Sequence, residues 1–239
     1  MRWEVLFKTI AIILAAGQGK RMGSKVNKQY LNLKDRPVLA YTLEAFDNHS
    51  QIHGIVVVAK EDEIDVCYRE VIIPFKFKKV IKVVAGGKER QDSVYEGLKV
   101  LPDECELVVV HDGARPLIAP NIISDVINVA NDMGASITAV PVKDTIKRVN
   151  DKKIVKDTIP RSELWAVQTP QVFKKNIILK AYEIAFQKGF YGTDDSSLVE
   201  MLGQDIKVVL GSYENIKITT PEDLEIGCSI LTNRQKSKG

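Results

Sequence analysis

Short apolar runs recur along the chain, with amphipathic stretches between them. The runs are Ile10–Leu14, Ile55–Val58, Val80–Val84, Leu107–Val110, Ile137–Val140 and Ile206–Leu210. Several are apolar at consecutive positions instead of alternating, the pattern of strands covered on both faces of a largely parallel sheet. Between them, Val38–Phe46, Asp92–Leu101, Asn121–Ala130, Lys174–Phe186 and Leu198–Leu202 carry apolar residues near helical spacing. Thr220-Pro221-Glu222-Asp223 supplies an N-cap, a proline at the first helical position and acids in the first turn of a last helix. This alternation predicts an α/β fold with a mostly parallel central sheet and helices on both faces.

One segment breaks the rhythm. Thr145–Val149 and Ile154–Thr158 read as strands joined by Asn150-Asp151-Lys152-Lys153, a hairpin signal. Its β-propensity is good, but its charges make it a poor core element. It is either an arm that packs on something else, such as another copy of the chain, or a solvated edge hairpin. No repeat or linker divides the chain. A single domain is expected over 1–232, with the arm at about 143–160 and a basic, disordered tail at 233–239.

The totals narrow the class without choosing a function. With 239 residues, 45% hydrophobic and 27% charged, the chain can bury a sizeable core. Cys67, Cys105 and Cys228 are odd in number and widely spaced, which suggests a reducing compartment and offers no metal-ligand spacing. The net charge of +3 comes without a dense arginine patch, so no nucleic-acid partner is expected. No apolar run approaches the roughly 20 residues of a spanning helix. The start, Met1 to Ile13, leads straight into a core strand and is read as structure, not as a secretion signal. A cytoplasmic location is the expectation.

The first strand ends in Leu14-Ala15-Ala16-Gly17-Gln18-Gly19-Lys20-Arg21-Met22-Gly23. Glycines after a strand let backbone N–H groups approach an anion, and Lys20, Arg21, Lys25 and Lys28 add positive charge. The dinucleotide fingerprint G-x-G-x-x-G fails, because Met22 stands where the third glycine belongs. A Walker A loop fails too, because Gly19-Lys20 is followed by Arg21 in place of Ser or Thr. So basic a loop, lacking the usual base or ribose reader, suggests that the phosphates are the reacting part.

Four other stretches converge on that idea. Gly86-Gly87-Lys88-Glu89-Arg90 lies between a strand and a helix, a good site for backbone donors. His111-Asp112-Gly113-Ala114-Arg115-Pro116 follows the apolar Leu107–Val110. Asp112, at a strand's carboxyl end, suits Mg²⁺ with nucleotide phosphates, or else caps a turn; His111 is equally a packing residue or a ligand. Pro160-Arg161-Ser162-Glu163 and Asn215-Ile216-Lys217-Ile218 each place a cation in otherwise structural surroundings. Lys217 should face opposite to its two apolar neighbours.

Taken together, LAAGQGKRM, Lys28-Gln29-Tyr30, AGGKERQDSV, VVVHDGARP, VKDTIKR, LWAVQTPQVF, TDDSS and NIKITTPEDL resemble the 2-C-methyl-D-erythritol 4-phosphate cytidylyltransferases, from about Ile12 to Leu224. The resemblance implies a Rossmann-like nucleotidyltransferase fold with a protruding β-hairpin arm and a homodimer built through it. It implies transfer of a cytidylyl group from CTP to 2-C-methyl-D-erythritol 4-phosphate with a divalent cation, usually Mg²⁺. By position, Arg21 and Lys28 match the catalytic cations at the CTP phosphates. Ala15, Ala16, Gly17, Gly19, Lys20, Gly87 and Ser93 match residues around the nucleotide, and Asp112 and Gly113 its ribose and the metal. Thr145, Arg161 and Lys217 match the acceptor site, with Thr145 and Arg161 approaching from the neighbouring subunit's arm. The chain ends too soon to hold the cyclase found fused in some relatives. The alternatives are a ribitol-5-phosphate cytidylyltransferase, which would share the loop, the lysine and the acid, and a nucleotide-binding regulatory protein without turnover.

Overall fold

The computed structural model describes residues 8–17 and 27–236. Of the expected site residues, Gly19, Lys20 and Arg21 lie outside the described residues.

Strand β1 (Thr9–Leu14) leads to the glycine loop, and the chain re-enters through a 3-10 turn at Lys28–Tyr30. A two-stranded ribbon, β2 (Asn32–Leu33) and β3 (Arg36–Pro37), precedes α1 (Val38–Asp47) and β4 (Gly54–Ala59). Helical turns α2 (Ile64–Cys67) and α3 (Ile73–Phe75) flank a π-turn at Tyr68–Ile72. Then follow β5 (Val80–Ala85), α4 (Arg90–Leu98), β6 (Leu107–Asp112), α5 (Pro120–Met133) and β7 (Ala135–Pro141). The hairpin is β8 (Ile146–Val149) with β9 (Val155–Ile159). The chain returns through β10 (Trp165–Lys174), α6 (Lys175–Gln187), α7 (Asp195–Glu200), β11 (Lys207–Leu210) and α8 (Pro221–Lys236).

The main sheet has the order β11-β7-β10-β6-β1-β4-β5. All its pairings are parallel except those of β10, which runs antiparallel to both β6 and β7. The unbroken apolar runs are explained by two cores. On β1, Ala11 and Ile13 pack in one and Ile10 and Ile12 in the other. On β4, Ile55 and Val57 oppose Val56 and Val58 in the same way. The apolar side chains of β1 and β4 are thus removed from water on one face or the other, worth about 1.5–3 kcal/mol apiece for the larger ones.

A third, smaller core sits outside the sheet. Leu33 and Ile218 are fully buried there with Val38 and Leu117, under Leu224 and Leu231 of α8. A Cβ on Gly227 of α8 would stand 3.0 Å from Leu33 Cδ1, so the helix lies close on the ribbon. The helix continues through 233–236, where the sequence suggests a disordered tail, and Arg234 pairs there with Glu214 at 2.7 Å. No helix among the described residues is long and apolar enough to cross a membrane.

Candidate active site

Strand order reverses at β1, with β4 and β5 on one side and β6 on the other. Loops leaving the carboxyl ends of such strands diverge and open a crevice. Backbone bonds bring three of them together: Ala15 N donates to Val58 O, Gly86 N to Ala59 O and Gly113 N to Leu14 O.

Gly87 opens the turn into α4. A Cβ there would stand 2.3 Å from Asp92 Cβ, so glycine is required. Gly87 N donates to Ser93 Oγ at 3.1 Å, and Ser93 Oγ donates on to Glu89 O at 3.0 Å. Among the described residues, nothing comes within 4 Å of a Cβ built on Gly17. Ala16, Gly17, Lys28, Gly87 and Ser93 line a cavity of about 650 Å³.

A second cavity, about 460 Å³, is lined by Arg115, Thr169, Thr193 and Ser197. Arg90, Asp112 and Lys217 line both cavities and so mark their junction. Asp112 Oδ2 is 2.7 Å from Lys217 Nζ and 3.8 Å from Arg115 Nε, and Oδ1 is 3.7 Å from Arg90 Nε. Burial alone would raise the Asp112 pKa, but Lys217 first, then Arg90 and Arg115, hold it well below the carboxylate range. Arg90 is also paired with Asp195 at 2.7 Å, so three cations stand against two carboxylates and the junction keeps one excess positive charge to receive an anion.

Each of these groups is fixed from behind. Asp112 N donates to Thr169 Oγ1 at 3.0 Å, tying β6 to β10. Arg90 Nη2 reaches the fully buried Asp195 at 2.7 Å, and Tyr182 OH donates to that same carboxylate. Arg115 Nη1 donates to Asn215 O at 2.6 Å, while Asn215 Nδ2 donates to Thr169 O at 2.9 Å. Two residues on, Lys217 turns to Asp112 while Ile218 enters the third core, the opposed facing expected of it. Lys28 is buried, and its Nζ donates to Ile218 O at 2.8 Å.

His111 resolves as a packing residue. Its ring is fully buried against Phe46 at 4.8 Å between centroids, with Nε2 3.2 Å from Arg115 O. Burial lowers its pKa to about 4. Asp112 has a different neighbourhood from the one expected of a metal ligand. Its oxygens face cations, and no group of three metal-ligating side chains is found among the described residues. That donor set does not fit an ion held by protein side chains alone; an ion at Asp112 would take its other ligands from nucleotide phosphates.

Of the other sequence expectations, Ala15 lies buried behind the first cavity. Gly113 sits where a Cβ would be 2.9 Å from Leu14 O. Thr145 and Arg161 are exposed at the base of the hairpin, and neither lines the two cavities. Arg161 Nη1 donates instead to Lys143 O at 2.6 Å. Sequence reasoning gave no role to Arg90, Arg115, Gln29, Thr169 or Asn215. The arginines carried a signal, a cation beside glycines at a strand end. The polar three looked like ordinary strand or turn residues.

The 2-C-methyl-D-erythritol 4-phosphate cytidylyltransferase family profile matches residues 9–233. A protein of that name from Alkaliphilus metalliredigens is 53% identical over 97% of this chain and 96% of its own length. The Clostridioides difficile protein of the same name is 48% identical, with 95% of each chain covered. Among solved structures, 4-diphosphocytidyl-2C-methyl-D-erythritol synthase from Anaerococcus prevotii superposes with a TM-score of 0.84 at 37% identity, covering 94% of this chain and 96% of that one.

Proposed function

The chain belongs to the 2-C-methyl-D-erythritol 4-phosphate cytidylyltransferase family, and from that premise we propose that its two cavities are the donor and acceptor halves of one active site. The enzyme joins CTP to 2-C-methyl-D-erythritol 4-phosphate, giving 4-diphosphocytidyl-2-C-methyl-D-erythritol and pyrophosphate in isoprenoid biosynthesis. The observation that carries the two-cavity reading is their junction at Arg90, Asp112 and Lys217. A reaction between two phosphates needs one place where both negative groups are tolerated, and a cationic junction provides it.

In the proposed step, an oxygen of the acceptor phosphate attacks the α-phosphorus of CTP. The new P–O bond forms as the bond from that phosphorus to the bridging oxygen breaks, and the electron pair leaves with pyrophosphate. The attacking oxygen is already anionic near neutral pH, so no protein base is required. Lys28, with Arg21 from the loop, offsets charge at the α-phosphorus. Lys217 and Arg115 orient the acceptor phosphate, and Asp112 holds their side chains in place. Ala15, Ala16, Gly17, Gly19, Lys20, Gly87, Ser93 and Gly113 form the nucleotide side. Mg²⁺ enters this reading on the triphosphate of CTP, not as an ion resident on Asp112.

Thr145 and Arg161 are proposed to serve the neighbouring subunit of a homodimer. Val149, Ile154 and Val155 of the hairpin are more than half or about half exposed, which supports an arm that packs on a second copy. A cytoplasmic location belongs to the same proposal.

The test is pyrophosphate release from CTP with a panel of phosphorylated polyols. Turnover should be highest with 2-C-methyl-D-erythritol 4-phosphate. Preference for ribitol 5-phosphate, or tight CTP binding without release, would sink the reading.

A further inference from the structure

The turn at Lys28–Tyr30 and the residue before it send four consecutive side chains to four different parts of the molecule. Asn27 Nδ2 donates to Glu63, and Lys28 Nζ to Ile218 O. Tyr30 is buried in the first core. Gln29 reaches back across the loop. Its Nε2 donates to Ala15 O and, at 3.4 Å, to Gly17 O.

Gln29 is only 2% exposed, yet it lies on the wall of the donor cavity beside Ala16 and Gly17. Its amide therefore binds the carbonyls on either side of Ala16. It joins the start of the glycine loop to the turn that ends it. Nothing else in the described chain crowds Gly17, because a built Cβ there meets no atom within 4 Å. Gln29 is thus a side-chain tie on the Ala15–Gly17 backbone, added to the burial of Ala15 and the bond from its N to Val58 O.

We propose that Gln29 is a positioning and specificity residue, a clasp that fixes the Ala15–Gly17 backbone for reading the base. The chemistry follows from the difference between pyrimidines. Cytosine presents an amino donor where uracil presents a carbonyl acceptor, so backbone groups discriminate only if their directions are fixed. Without the clasp, the Ala15 and Gly17 carbonyls lose their donor and can turn. Cytosine then loses its advantage, while the cations that hold phosphates are untouched.

This rests on the reading of the larger cavity as a CTP site. The experiment compares wild type with Gln29→Met, which keeps the length without the donors, and Gln29→Glu, which sets a carboxylate against the two carbonyls. Pyrophosphate release is measured with CTP and with UTP as donors. In Gln29→Met, kcat/KM for CTP should fall about tenfold, the factor one buried hydrogen bond supplies, and the CTP-to-UTP ratio should shrink with it. Gln29→Glu should lose more, and KM for the acceptor should stay near wild type in both. A CTP-to-UTP ratio unchanged in both variants would overturn the clasp, as would loss of folding in both, since Gln29 would then hold up the fold and not the site. Wild type that releases no pyrophosphate from CTP would instead point to failure of the functional reading.

Discussion

Lys28 and His111 show how similar burial leads to opposite roles. Lys28 keeps its ammonium on Ile218 O, at the wall of the donor cavity. Lys28→Ala is expected to lower kcat at least about a hundredfold, the scale of losing one charge-stabilising group in a closed site. Wild-type kcat with only a raised acceptor KM would move Lys28 away from the reacting phosphates. His111 is fully buried and neutral, its pKa lowered from 6.5 to about 4. The unfolded chain therefore binds a proton that the folded one refuses between those pH values. Stability should fall as pH drops from 6.5 towards 4, by up to about 3 kcal/mol from this residue. Urea denaturation at pH 7 and pH 5 should show a smaller difference in His111→Gln than in wild type. An equal difference would show that other groups carry the acid sensitivity.

At the scale of elements, the turn between β5 and α4 is tightly drawn. Gly87→Ala would press a methyl onto Asp92 Cβ from 2.3 Å, in the first turn of a helix whose Ser93 is bonded back to Gly87. Destabilisation of about 1–3 kcal/mol is expected, together with a raised KM for CTP. Urea midpoints and steady-state kinetics check the two effects separately, and a neutral variant would mean the turn yields easily. The central strands were the most legible elements in the sequence, because both of their faces are apolar. Ile10–Leu14, Leu107–Val110 and their parallel partners declared themselves because every residue enters one core or the other. β10 did not, since Gln168, Thr169 and Gln171 interrupt its apolar pattern with polar side chains that are nonetheless buried. Those residues are spent on neighbours: Thr169 on Asp112, Gln168 on Ser212 O, Gln171 on Asp194. No local rule announces a polar strand that is satisfied only by distant partners. For the same reason the glycine loop, Asp112 and Lys217 could be read from the chain, whereas the ring of contacts that aims them could not. The last helix likewise overran its expected end, because Arg234 finds Glu214 and Leu117 O.

For the whole molecule, the proposed homodimer would divide the cations between two subunits. Lys217 stands at the junction of its own cavities, whereas Arg161 stands in the turn at the base of the hairpin and lines neither. If the arm reaches a neighbour, Arg161→Ala and Lys217→Ala cripple different partners' sites. Mixing the two inactive proteins and allowing subunits to exchange should restore about a quarter of wild-type activity, because each mixed dimer holds one intact site. Continued inactivity after proven exchange would assign both cations to the same subunit's site.

The acid at the junction has one more consequence, concerning what binding exchanges. Lys217, Arg90 and Arg115 do not wait as bare charges; they already share the carboxylate of Asp112. A phosphate arriving there competes with an internal anion as well as with water. In the proposed site Asp112 would act as a placeholder, keeping the cations gathered when no substrate is present and yielding part of their attention when one is. In the proposed site, recognition at the junction is a trade of anions, and the same carboxylate that pre-arranges the cations would also ease release of a product that is a diester of diphosphate.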